Sequence, residues 1–148
     1  LPIYCYFQYS NLVTTYMPID DLKDMAILNF TERYRSADIN YFFLKRHKNN
    51  LVFAGTEKEY QIFCDKWELE IPRLIVNNFL QLAYIMKKAR FIYSNQSFMW
   101  NLSEAMKIPR VVELCQHAPN VQAFIGEHSY GYLHQSGAKY YFELLMKK

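Results

Sequence analysis

The chain is poor in the residues that mark the commoner catalytic and secreted folds. Glycine occurs only four times in 148 residues, and neither a GxGxxG nor a Walker A pattern is present, which argues against glycine-cradled dinucleotide and ATPase loops. Three cysteines, Cys5, Cys64 and Cys115, are too few and too scattered for a disulfide framework. Cys64 and Cys115 fall on apolar segments, which predicts buried free thiols and a reducing, cytoplasmic setting. The four histidines (His47, His117, His128 and His134) have no zinc-ligand spacing, and no GxSxG elbow occurs, so neither a metal nor a serine nucleophile is expected. No apolar run approaches the roughly 18 residues of a membrane span, and no signal peptide is recognisable. An excess of one charge is lacking too. Seventeen Lys and Arg against 14 Asp and Glu leave a net charge of +3, and their interspersion argues against a nucleic-acid-binding stripe. The one basic run, Lys45-Arg46-His47-Lys48, reads as the solvated end of a helix, where cations complement the dipole.

What the chain has is apolar mass in a regular rhythm. Hydrophobic residues make up 51% and aromatics 18%, enough for a core in a one-domain length. The opening residues 1–24 lack sustained periodicity and read as an irregular entry segment, either a linker or a strand covering the domain edge. Because the chain begins at Leu-Pro, it is expected to be a domain of something longer. Residues 25–148 then alternate short apolar runs with segments of helical spacing. Strands are predicted at Met25–Phe30, Leu51–Ala54, Arg73–Val76, Phe91–Tyr93 and Arg110–Leu114, with Val121–Ile125 as a further candidate. Helices are predicted around Ile39–Lys45, Glu57–Trp67, Phe79–Lys88, Phe98–Lys107 and Ala138–Met146. In the second of these, Tyr60, Phe63, Cys64 and Trp67 share one face. Ser129–Tyr132 reads as a turn with exposed aromatics, against the rival reading of a loop that stacks on a base or closes over a ligand. Strand–helix alternation of this kind implies an α/β fold, a doubly wound parallel sheet covered on both faces.

In such sheets ligands bind beyond the carboxyl ends of the strands, near the point where strand order reverses. The residues at those ends are therefore the candidates. Ser94-Asn95-Gln96-Ser97 precedes a helix with no acid in its first turn, so its free amides suit a phosphate. The plainer reading makes Ser97 an ordinary N-cap. Gly55-Thr56 is either a tight turn capped by Thr56 or a place where a ligand approaches the backbone. Arg33, beyond Thr31, either holds a phosphate bidentately or pairs with a neighbouring carboxylate.

Taken in order, AILNFTERYRS, LVFAGTEKEYQIFC and NNFLQLAYIMKKARFIYSNQSFMWNLSEAMKIPRVVEL resemble the C-terminal half of GT-B glycosyltransferases, the heptosyltransferase-like branch above all. The likeness runs from about Met25 to Glu113. It implies a single Rossmann-like domain, one half of a GT-B fold, that holds a nucleotide-sugar donor as substrate, with no separate cofactor. Carried over, Ser94, Asn95, Gln96 and Ser97 would lie against the donor pyrophosphate, with Thr31 and Arg33 approaching the same phosphates. Gly55 and Thr56 would border the nucleotide, and Glu113 with the loop after it would approach the ribose or base. The partner implied is a missing N-terminal acceptor domain or a partner chain, which would bring the general base, so the isolated chain is expected to be inactive. The family's turn usually carries an Asp, a Gly and a later His, all missing here. The alternatives are a nucleotide-sugar epimerase-like domain and a non-enzymatic α/β interaction module.

Overall fold

The computed structural model describes residues 3–9, 14–118 and 120–147. Period-two alternation in the central strands sorts their side chains into two apolar layers. From Ala26 onward, Ala26, Leu28 and Phe30 enter one layer with Leu51, Phe53, Phe91, Tyr93 and Val111. Ile27, Val52, Ala54 and Ile92 enter the other. Strands apolar on both faces belong inside a sheet covered on both sides.

The strands are β1 (Tyr4–Gln8), β2 (Thr14–Pro18), β3 (Ala26–Asn29), β4 (Leu51–Phe53), β5 (Arg73–Ile75), β6 (Phe91–Asn95), β7 (Arg110–Glu113) and β8 (Ser129–Tyr132). They form one eight-stranded sheet in the order β2-β1-β5-β4-β3-β6-β7-β8. The six strands from β5 through β8 in that order pair in parallel. Numbered from β3, their order is 3-2-1-4-5-6, that of the doubly wound dinucleotide-binding architecture. The order reverses between β3 and β6, which pair Ala26 with Phe91 through Asn29 with Ser94.

The helices are α1 (Glu57–Trp67), α2 (Phe79–Lys88), α3 (Phe98–Met106) and α4 (Gln135–Lys147), with 3-10 helices at Ile19–Asp24 and Phe42–Asn50. One layer is closed by α1, α4 and the second 3-10 helix, through Tyr60, Phe63, Cys64, Trp67, Leu44, Ala138 and Phe142. The other is closed by α2, α3 and the first 3-10 helix, through Leu82, Ile85, Met86, Met99 and Leu22. No helix of the described residues is long and apolar enough to cross a membrane. Cys5, Cys64 and Cys115 are buried free thiols. Burial pushes the first two up, to about 11 and about 12.

Several elements differ from the sequence reading. The opening segment, read as a linker or an edge strand, supplies two strands, β1 and β2, an antiparallel pair in which β1 also lies antiparallel against β5. Residues 10–13, within the same opening segment, fall outside the described residues. The helix predicted around Ile39–Lys45 is the 3-10 helix Phe42–Asn50, which places Lys45, Arg46 and Lys48 at the surface as read. Val121–Ile125 is not a strand. The last strand is β8, from the stretch read as a turn with exposed aromatics, and its Tyr132 is buried. A Cβ on Gly131 would stand 2.7 Å from that of Ala123, so the glycine admits the 121–125 segment across the strand rather than a turn.

Candidate functional site

At the reversal between β3 and β6, the chain leaving β3 and the chain entering α3 bound an open groove of about 350 Å³. Its walls include Thr31, Arg33, Tyr34, Gln96, Ser97, Phe98, Asn101 and Asn120. Thus Thr31, Arg33, Gln96 and Ser97, chosen from sequence, share one site. Gly55, Thr56, Ser94, Asn95 and Glu113 do not line it. The volume lies at the small end of ligand sites, roughly 300–1,000 Å³.

The α3 wall is a helix start. Ser97 caps it, accepting from the Trp100 amide at 3.4 Å, and the first turn holds no acidic residue. The amides left over and the positive end of the dipole are therefore not neutralised from within the helix. The opposite wall carries the site's cation. The exposed Arg33 guanidinium lies 4.9 Å above the Tyr34 ring and donates to its hydroxyl at 2.8 Å. Tyr34 has φ of +60°, a region that costs a bulky side chain energy and so needs support from its surroundings.

That support comes from Asn95, which ends β6. Its amide nitrogen donates to the carbonyls of Thr31 and Arg33 at 3.0 and 2.8 Å, and its oxygen accepts from the Thr31 amide at 3.1 Å. Arg35 adds a second clamp, donating to the Thr31 carbonyl at 2.7 Å and to that of Phe30 at 3.2 Å. Burial lowers the pKa of Arg35 against the pull of Glu113 and other anions. Gln96 does the same for the other rim. It donates to Ala118 at 2.8 Å and to Asn120 at 2.6 Å, and accepts from the Cys115 amide at 2.7 Å. Asn95 and Gln96 therefore build the groove from behind.

Glu113 lies under the β3 loop with 1% of its surface exposed. Its carboxylate accepts from the Ser36 amide at 2.6 Å and from the Tyr41 hydroxyl at 2.8 Å. Tyr41 has one proton to give, so Tyr132, 2.6 Å away, donates to Tyr41. Burial raises the Glu113 pKa, with Ser36, Tyr41 and the Arg35 charge opposing. Both carboxylate oxygens are thus engaged within the fold, at the position the resemblance gave to a ribose or base.

The remaining candidates lie outside the groove. Thr56 caps α1 in a reciprocal box with Glu59, at 3.1 and 2.9 Å. A Cβ on Gly55 would stand 2.9 Å from the Phe53 ring and 3.1 Å from the Asn29 amide nitrogen, so packing alone requires the glycine. Ser94 lies inside β6, paired with Asn29 and Val112, because the strand runs two residues past Tyr93. Its Oγ and the Oδ1 of Asn29 are buried and bond to no protein atom.

Sequence reasoning passed over Tyr34, Asn101 and Asn120 as lining and named Phe98 only as the start of a helix. The signal for Phe98 lay in the pattern Asn78-Phe79 and Ser97-Phe98, an apolar side chain directly after each cap. Among the described residues no group of three or more His, Cys, Asp and Glu could hold a metal ion. Neither a protein-family model nor a curated protein matches this chain.

Proposed function

We propose that this domain binds the nucleotide part of a nucleotide-sugar and serves as the donor-binding half of a GT-B-type glycosyltransferase. The observation that carries the reading is the groove at the strand-order reversal, where the acid-free start of α3 faces the exposed Arg33. Phosphates suit such a place, since backbone amides and a guanidinium both donate to anionic oxygen. During transfer these groups would stabilise the departing nucleoside diphosphate. The acceptor and the base that deprotonates it would belong to a second domain, and no residue here is given a catalytic role.

Replacing Ser97 with Asp tests the reading. Asp is an equally good N-cap, so folding stability should hold or rise slightly. A negative charge at that point should weaken nucleoside diphosphate binding by about tenfold, roughly 1.4 kcal/mol. Calorimetric titration with UDP, ADP and GDP reads the affinity, and thermal unfolding reads the stability. Unchanged affinity in Ser97→Asp would reduce the turn to a plain cap.

A second reading is a non-enzymatic interaction module that retains the fold. It is favoured by the internal engagement of Asn95, Gln96 and Glu113, whose side chains hold protein rather than present themselves to a ligand. Absence of binding at millimolar nucleoside diphosphate would select it.

A further inference from the structure

Two large aromatic rings stand exposed where the fold gives them no reason to be. Phe79 and Phe98 each occupy the first position of a helix, α2 and α3, with 70% and 52% of their surface open. Such positions cost nothing to fill with a polar or acidic residue, which the helix dipole would favour. Here the rings meet instead, with centroids 4.8 Å apart and planes inclined at 47°. Phe79 thus backs Phe98 and limits its rotation. Phe98, so braced, lines the groove that holds Arg33, Tyr34, Asn101 and Asn120. Among the described residues that line it, Arg33 is the one charged side chain and none is acidic.

The lining therefore has two unlike parts, a cation and a braced aromatic surface. A ligand that satisfies both carries an anionic group and a planar ring within one small molecule. From this juxtaposition we propose that Phe98 is the stacking surface for the nucleobase of a nucleoside diphosphate whose phosphates face Arg33. The assignment rests on the nucleotide-binding reading above and moves the base away from Glu113, whose carboxylate is buried and doubly bonded. Every base has a π-face, so stacking recognises bases with little discrimination. Binding should accordingly tolerate uracil, adenine and guanine alike.

The test compares ligands with and without a base. Wild-type protein and the variants Phe98→Ala and Phe98→Trp are titrated with UDP, ADP and inorganic pyrophosphate, with thermal unfolding as the check on folding. Expected is a loss of about tenfold for UDP and ADP in Phe98→Ala, recovery in Phe98→Trp, and a change below twofold for pyrophosphate. UDP and ADP affinities unchanged in Phe98→Ala overturn the stacking assignment and leave nucleotide binding standing. Equal losses for pyrophosphate and nucleotides also overturn it, because the ring would then act only through the helix start. Wild-type protein that binds neither nucleotide overturns the nucleotide-binding reading and this assignment with it. A Phe98→Ala protein that fails to fold hands the decision to Phe98→Trp, where UDP and ADP affinities at or above wild type support stacking and a clear loss overturns it.

Discussion

Glu113 shows how a buried acid is tolerated when its donors are prearranged. Folding strips it of water, which favours the neutral form, and the Ser36 amide and Tyr41 hydroxyl return part of what is lost. Its folded pKa lies above the ordinary carboxylate value of 4.5. The native state therefore holds the proton longer than the unfolded chain, and this group costs stability as pH rises from 4.5 through the raised value. Glu113→Gln removes that cost. The glutamine oxygen still accepts from Ser36, while its amide donates to Tyr41, which turns its own proton to Tyr132. Chemical denaturation at pH 4 and pH 8 should show the variant gaining on wild type at the higher pH. A stability difference that does not change with pH would refute the assignment of this titration to Glu113. None of this was legible in the sequence. The partners Ser36 and Tyr41 lie 77 and 72 positions away, and local spacing carries no trace of pairs so distant. Arg33 and Ser97 were legible because strand-end position and helix start are local properties.

Among the elements, α1 was the most readable. Its apolar spacing places Tyr60, Phe63, Cys64 and Trp67 on one buried face, and the Thr56–Glu59 box marks its beginning. Phe63 stacks on Phe30 with centroids 4.6 Å apart and planes 13° from parallel, which ties the helix to the strand that feeds the candidate groove. Phe63→Ala should cost about 3–5 kcal/mol in chemical denaturation, and a loss under about 1 kcal/mol would mean that the face is not packed as described. The strands were readable where they are apolar on both faces, as with Ile92, Val111 and Val112, all fully buried. Where polar residues enter, the reading failed. β6 continues through Ser94 and Asn95, whose composition suggests a turn, because β3 and β7 both pair with Ser94 and β7 also pairs with Asn95. β8 was missed for a related reason: Gly131 looks like a turn residue until the crossing of Ala123 is seen.

At the scale of the molecule, alternation of strand and helix predicted the parallel sheet. The opening segment reads as either a linker or an edge strand, and neither the second strand nor the antiparallel pairing against β5 is foreseen from it. The in/out alternation of β1 rests on Tyr4, Cys5, Tyr6 and Phe7, all of them apolar or aromatic. Burial of Cys5 and Phe7 alone is therefore hidden in the sequence, and the segment looked irregular. Yet β1 occupies the side of β5 that faces away from β4, and Cys5, Phe7, Ile19 and Leu22 fill the layer beneath α2 and α3. The opening segment is thus part of the sheet's integrity. A chain shortened to residues 25–148 should present β5 as an open edge, with main-chain donors and acceptors ready to recruit another molecule. Concentration-dependent association in analytical ultracentrifugation is the expected result. A monomeric, equally heat-stable short form would show that the pair is dispensable. In the intact chain the outer strand is instead β2, which closes with Pro18, a residue without an amide to donate. The protein therefore ends its sheet on that side with a strand that offers a neighbouring chain one hydrogen bond fewer, a built-in brake on self-templated polymerisation.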